Sequence, residues 1–182
     1  PNGYDKQIID DNIKLVNTIR HYAGNDRIVY ASSASVYNLN NLYAYSKKYA
    51  EDVFSDCNAV GLRYYNVYGP GDNGVVGKLI DCALTGRVFN LYGGDQIRDF
   101  VYVDDVVQAT IDAIESKEKI IEVGTGVGTS INELIGIIEM LTDQKIMVKQ
   151  SLPLGGDAKI SICRLSPLDK FTKLVDGIKK TL

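Results

Sequence analysis

Tyr43-x-x-x-Lys47, the serine pair Ser32-Ser33, Asn66 and Arg98 are the residues whose types and spacing could do chemistry together. Tyr43 and Lys47 stand at i and i+4, where side chains on one helix face meet. A phenol with its ordinary pKa of about 10 is a poor base at neutral pH. A neighbouring ammonium favours the phenolate and brings the hydroxyl into a range where it can exchange a proton with an alcohol. A serine hydroxyl on the same substrate oxygen would hold the reacting group and steady its charge as alcohol becomes carbonyl. The pair alone is weak evidence. With 12 tyrosines in 182 residues, about one Tyr-x-x-x-Lys arises by accident, and a solvated pair is its bland reading.

The elements around these residues make the pattern specific. Ile28-Val29-Tyr30 is a short β-rich run after the turn-like Gly24-Asn25-Asp26, so residues 27–31 are expected to form a strand ending at Ser32 and Ser33. Residues 43–57 read as a helix, with Ala50, Val53, Phe54 and Cys57 at i, i+3, i+4 and i+7 as its inward face. Ala59 to Tyr64 supplies a second buried strand. Hydroxyls at a strand end, followed by a Tyr/Lys helix, place polar groups at the carboxyl edge of an α/β sheet, where crevices hold ligands.

The ordered series Ala31-Ser-Ser-Ala-Ser-Val-Tyr37, Tyr43-x-x-x-Lys47 with Ser46 and Glu51, and Arg63-Tyr-Tyr-Asn-Val-Tyr-Gly-Pro70 resembles the extended short-chain dehydrogenase/reductases. Within them it is most similar to NAD-dependent nucleotide-sugar epimerases of the UDP-glucose 4-epimerase kind. Tyr92 to Val106, with Arg98-Asp99-Phe100, and Glu122-Val-Gly-Thr-Gly126 extend the likeness along nearly the whole chain. The resemblance implies an α/β fold. Its core is a Rossmann-type doubly wound parallel sheet, whose N-terminal strands are not represented here, and a smaller α/β substrate-binding lobe accompanies it. It assigns residues 1–68 to the cofactor domain and 69–182 mainly to the lobe, with 97–115 returning to the cofactor domain.

The same resemblance implies the roles. Tyr43 is the catalytic acid/base and Lys47 its partner, both also on the nicotinamide ribose. Ser33 is the catalytic hydroxyl, with Ser32 and Ser35 as lesser occupants of that place and Ser32 also a cofactor contact. Tyr65 lies beside the nicotinamide, Asn12 near the cofactor, and Asn66 on the sugar nucleotide. Arg98 grips phosphate or ribose, a task suited to a guanidinium fork. Bland alternatives stay open: Asn66 as a turn residue, and Arg98 paired with Asp99 or Asp104. The cofactor is NAD, with NADP not distinguished from it by these residues, and a homodimer is implied.

Ser33 is followed by Ala34 and Ser35 instead of the acidic pair that dehydratases of this family carry. Epimerisation needs no such acid. Tyr43 takes a proton while hydride leaves for the cofactor, and the hydride returns to the other face of the keto sugar. A UDP-hexose 4-epimerase is the first reading and an ADP-heptose 6-epimerase its closest rival. A reductase or decarboxylase on sugar nucleotides, or a non-catalytic sugar-nucleotide-binding fragment, are the further alternatives.

Two departures stand beside the likeness. No strand, Gly-x-Gly-x-x-Gly turn and helix opens the chain. The tempting Gly124-Thr125-Gly126-Val127-Gly128 has Thr129 where the third glycine should stand, and Ser130-x-x-Glu133 reads as a capping box. Short connections at 38–42, 71–74 and 164–167 lead to the expectation that residues of the natural protein are omitted here.

Composition adds bounds. A 45% hydrophobic chain of 182 residues can bury a core, and a net charge of −3 argues against a nucleic-acid or anionic-membrane surface. No apolar run approaches a membrane span. Cys57, Cys82 and Cys163 sit in apolar runs and His21 is the single histidine, so reduced thiols, no metal site and a cytoplasmic setting are expected. Helices are expected from Val75 to Gly86, after Asp104 or Asp105 as cap, and from Asp169 to Lys180. Strands are expected over Val88–Tyr92, Ile97–Val103, Ile120–Val123, Ile146–Val148 and Ile160–Cys163.

Overall fold

A computed structural model describes residues 6–153, 155, 158–164 and 170–182. The chain divides into two compact units, one of residues 1–64 and 107–123, the other of residues 65–106 and 124–182.

The first unit alternates helix and strand. Helix α1 (Lys6–Tyr22) leads to strand β1 (Ile28–Ser33) and a 3-10 turn (Ala34–Tyr37). Helix α2 (Leu42–Val53) and strand β2 (Ala59–Tyr64) follow. β2 is the middle strand of a parallel three-stranded sheet, flanked by β1 and by β6 (Ile120–Val123). Ala50, Phe54, Cys57 and Ala59 form a buried cluster, against which Val16, Ile19 and Tyr30 pack. The inward face expected of α2 is therefore present, although the helix stops at Val53 and Phe54 and Cys57 lie just beyond it. Gly61 in β2 leaves room for a neighbouring ring. A Cβ there would come within 2.6 Å of the Tyr30 ring.

The second unit is built around β5 (Ile97–Tyr102), which pairs in parallel with β3 (Asn66–Tyr68) and β9 (Ile160–Ser161) and antiparallel with β7 (Gly128–Ser130). A separate parallel pair joins β4 (Phe89–Tyr92) to β8 (Val148–Ser151). Helices α3 (Val75–Thr85), α5 (Ile131–Thr142) and α6 (Leu174–Thr181) contribute Leu79, Leu134, Ile138 and Ile178 to a core shared with Tyr68, Phe100 and Tyr102. Gly86 closes α3 at φ 71°, a left-handed conformation that suits glycine. The Ser130/Glu133 capping box starts α5.

Besides the end of α2, other boundaries differ from the sequence reading. Helix α4 begins at Val103 and ends at Asp112, so Asp104 and Asp105 lie inside its first turn and neither precedes it as a cap. Asp105 accepts from Thr172 N at 2.7 Å and Thr172 Oγ1 at 3.1 Å instead. The strand expected at 146–148 begins at Val148, where β4 is available to pair. The last helix starts at Leu174; Asp169 lies outside the described residues.

Candidate active site

In the first unit the candidates gather at the carboxyl ends of the parallel strands. Ser33 ends β1 in an extended conformation (φ −155°, ψ 148°), from which its side chain caps the 3-10 turn. Its Oγ accepts from Ser35 N at 3.2 Å and from Ser35 Oγ at 3.0 Å. A hydroxyl whose acceptor sites are filled in this way keeps its own hydrogen to donate. Ser35, expected as a substitute for Ser33, is thus a partner to it.

Asn41 starts α2 by accepting from Ala44 N at 2.9 Å, which sets Tyr43 in the first turn. Ser46 Oγ donates to the Tyr43 carbonyl at 2.8 Å. Lys47 reaches back along the helix. Its Nζ lies 5.7 Å from the centroid of the Tyr43 ring and donates to the Ala31 carbonyl at 3.0 Å. That is within the range in which a cation feels the ring face. Burial pushes the Lys47 ammonium below its ordinary pKa.

Ser32 points elsewhere. It is buried, and its Oγ donates to Glu51 Oε1 at 2.6 Å. Glu51 is gripped by Arg63 through Nε to Oε1 at 2.8 Å and Nη2 to Oε2 at 2.7 Å. The guanidinium also donates through Nη1 to the Tyr37 hydroxyl at 2.6 Å, and that hydroxyl donates to Glu122. The hydroxyl of Ser32 is thereby committed to the frame beneath the site. Asn12 lies half-buried on α1.

In the second unit, Asn66 opens β3 in register with Phe100, and Arg98 lies half-buried on β5. Arg98 and Phe100 share a face of β5, because alternate residues of a strand do. Thr129 is the cross-strand neighbour of Arg98. Phe100 and Thr129, with Thr125, Phe171, Thr172 and Lys173, line a cavity of about 150 Å³, room for a sugar- or ring-sized group. Arg98 Nη1 donates to the Ile97 carbonyl at 2.9 Å.

Asp99 faces the other way and is fully buried. Its carboxylate accepts from Thr125 N at 2.8 Å, Thr125 Oγ1 at 2.6 Å, Gly126 N at 2.8 Å and Cys163 N at 3.1 Å. The surface pair with Arg98 left open by the sequence does not describe this buried aspartate. The amides of Thr125 and Gly126 are spent on Asp99, and Gly126 takes a left-handed φ of 75°, which accounts for that glycine without a dinucleotide. Gly124 also makes room for Tyr65, since a Cβ there would meet the ring at 2.8 Å.

Against known proteins, residues 2–124 match the model of the NAD dependent epimerase/dehydratase family. The chain belongs to that family. An ADP-L-glycero-D-manno-heptose-6-epimerase of Brachyspira hyodysenteriae is 31% identical over 163 residues, 71% of this chain and 51% of the relative. A UDP-glucuronate 4-epimerase of Arabidopsis thaliana is 25% identical over 231 residues, 99% of this chain and 53% of the relative. The crystal structure of the Thermus thermophilus UDP-glucose 4-epimerase in complex with NAD superposes with a TM-score of 0.82 at 29% identity, covering 93% of this chain and 67% of that one. The Rossmann-type α/β class expected from the motifs is the fold of these family members. The chain spans about half the length of the curated relatives it matches.

Within the family frame, Arg63, Glu51, Tyr37 and Asp99 are the residues to which sequence reasoning gave no task. The sequence carries a signal for two of them, Arg63 and Glu51. An arginine inside the apolar run Ala59–Tyr64 needs a partner, and Glu51 stands one helical turn beyond Lys47.

Proposed function

We propose that this chain carries the catalytic residues of an NAD-dependent nucleotide-diphosphate-sugar epimerase of the UDP-hexose 4-epimerase type, acting by transient oxidation to a keto sugar. The observation behind this reading is the pairing, at one sheet edge, of a donor-ready Ser33 with a Tyr43/Lys47 helix turn in a member of this family.

The residues suit one end of the cofactor. Two hydroxyls and an ammonium are the donor set that a ribose diol and a carboxamide require, and Tyr43, Lys47 and Ser33 would hold the nicotinamide ribose, with Tyr65 and Asn12 as further contacts. In the Gly124–Gly126 turn the amides of Thr125 and Gly126 already donate to Asp99. Bound NAD supplies the hydride acceptor and donor. Tyr43 takes the proton of the sugar hydroxyl as its carbon is oxidised, and returns it to the same oxygen when the carbonyl is reduced. Ser33 donates to that oxygen throughout. Lys47 keeps the phenolate within reach near neutral pH.

Asn66 and Arg98 are assigned to the sugar nucleotide, with the cavity beside Phe100 for part of it. Arg98 offers a planar fork to phosphate or ribose oxygens. The division into a cofactor domain over 1–68, to which 97–115 returns, and a lobe over most of 69–182 belongs to the same proposal. So do a cytoplasmic setting and a homodimer through α1 and α2, which expose Leu15, Leu42 and Tyr45. Among the described residues no helix is long and apolar enough to cross a membrane.

The heptose 6-epimerase relative favours a second reading, epimerisation of an ADP-heptose. NMR of UDP-glucose and of an ADP-heptose, each incubated with the protein and added NAD, tests both. Formation of UDP-galactose supports the first reading, and an inverted heptose supports the second. Saturable binding of either sugar nucleotide without any isomer would replace both by a binding role.

A further inference from the structure

Arg63 holds two separate pieces of the candidate site at once. It lies in the middle strand of the three-stranded parallel sheet, in register with Ser32 on one side and Glu122 on the other. Cross-strand partners point to the same face, so the three side chains form a row across the carboxyl end of the sheet. One edge of the guanidinium, Nε and Nη2, grips Glu51 of α2 at 2.8 and 2.7 Å. The remaining Nη1 donates to the Tyr37 hydroxyl at 2.6 Å, and the guanidinium carbon lies 4.8 Å from the centroid of that ring.

Those two partners belong to different elements. Glu51 is one helical turn beyond Lys47 on α2, the helix of Tyr43. Tyr37 is the last residue of the 3-10 turn that Ser33 caps. Between them, β1 is tied to α2 twice in succession, by Lys47 on the Ala31 carbonyl and by Ser32 on Glu51. The Glu51–Arg63 pair is largely buried, with 6% and 18% of the side chains exposed. A planar fork is less free to swing than an ammonium and can serve two partners in one geometry.

We propose that Arg63 is a positioning residue that locks the serine turn of Ser33 and Ser35 to the tyrosine–lysine helix, fixing the spacing of the proton-transfer set. The proposal rests on the catalytic reading of Ser33 and Tyr43. Arg63 itself touches no reacting atom.

Arg63→Lys keeps a counter-charge for Glu51 and loses the fork, and Tyr37→Phe removes the hydroxyl that links Arg63 and Glu122 to the serine turn while leaving the Glu51 grip intact, at a residue that is 61% exposed. The experiment is NMR of the full chain with labelled amides and lysine Cε, the Lys47 signal being assigned by its loss in Lys47→Met. Arg63→Lys is expected to move both the Ser35 amide and the Lys47 signal, whereas Tyr37→Phe moves the Ser35 amide alone. Turnover of the sugar nucleotide is measured alongside. Arg63→Lys should lower kcat by about tenfold or more with KM little changed, since small misplacements of reacting groups cost that much. If Arg63→Lys unfolds the chain, the Tyr37→Phe pattern decides.

An unmoved Ser35 amide in Tyr37→Phe overturns the proposal, as does an unmoved Ser35 amide or Lys47 signal in folded Arg63→Lys. A kcat for Arg63→Lys within about twofold of an active wild type also overturns it. Absence of turnover in the wild type would overturn the epimerase reading, while the two NMR patterns would still judge Arg63.

Discussion

Lys47 is drawn two ways, toward the Tyr43 ring and toward a backbone carbonyl, and is half-buried while it does so. Burial disfavours its charged form, so its folded pKa lies below the ordinary 10.5. The folded state therefore binds fewer protons than the unfolded chain between those two values, and stability rises with pH across that window. Relative to Lys47→Met, the wild type should gain stability as pH climbs through the folded pKa toward 10.5, which thermal melts at stepped pH would register. Asp99 is the other decisive side chain. Asp99→Ala strands the donors of Thr125, Gly126 and Cys163 in the interior and should cost on the order of 3 kcal/mol or more in urea unfolding. A loss below about 1 kcal/mol would mean that water replaces the carboxylate. The types and order of Ser33, Tyr43 and Lys47 were legible in the sequence. Nothing in it revealed that Asp99 takes the turn's amides, because the residues concerned are brought together only by the pairing of β5 with β7 and β9.

Among the elements, those with a strong local signal are where the residues said they would be. β2 runs from Ala59 to Tyr64 as expected, and α3 ends at its glycine. The capping box of α5 has both of its reciprocal bonds, Ser130 Oγ accepting from Glu133 N and Glu133 Oε2 accepting from Ser130 N. Ser130→Ala should therefore lower stability by about 1 kcal/mol, measurable as a shift in the urea midpoint. Gly177→Ala should do more harm, because its Cβ would fall 2.0 Å from the Tyr68 hydroxyl in the core. A stable, unshifted melt for that variant would contradict the packing of α6. β3 and β7 have no local signal in the sequence. Each has three residues, too few to carry an alternating pattern, and each exists by pairing with β5. The start of α4 departs from the local pattern for a related reason. Asp104 and Asp105 look like caps, but the helix begins directly from β5 and Asp105 serves Thr172.

For the molecule as a whole, the chain leaves the first unit after Tyr64 and returns to it from Val107 to Val123. The return adds β6 to β2 in parallel and brings Glu122 beside Arg63. That long-range register is invisible to local pattern, which is why the charged row across the sheet went unread although Arg63 and Glu51 were both in the motifs. The family, by contrast, is legible because its residues stand in order along the chain. The central claim is that Tyr43 serves an oxidation and reduction at a sugar carbon, with the same hydrogen leaving and returning. The most direct measurement is NMR of UDP-glucose carrying deuterium at C4, incubated with the protein and NAD, beside Tyr43→Phe. The account predicts a C4-inverted product that keeps its deuterium at C4, and no product from Tyr43→Phe. An inverted product that has lost the label to solvent, or undiminished turnover by Tyr43→Phe, would contradict it.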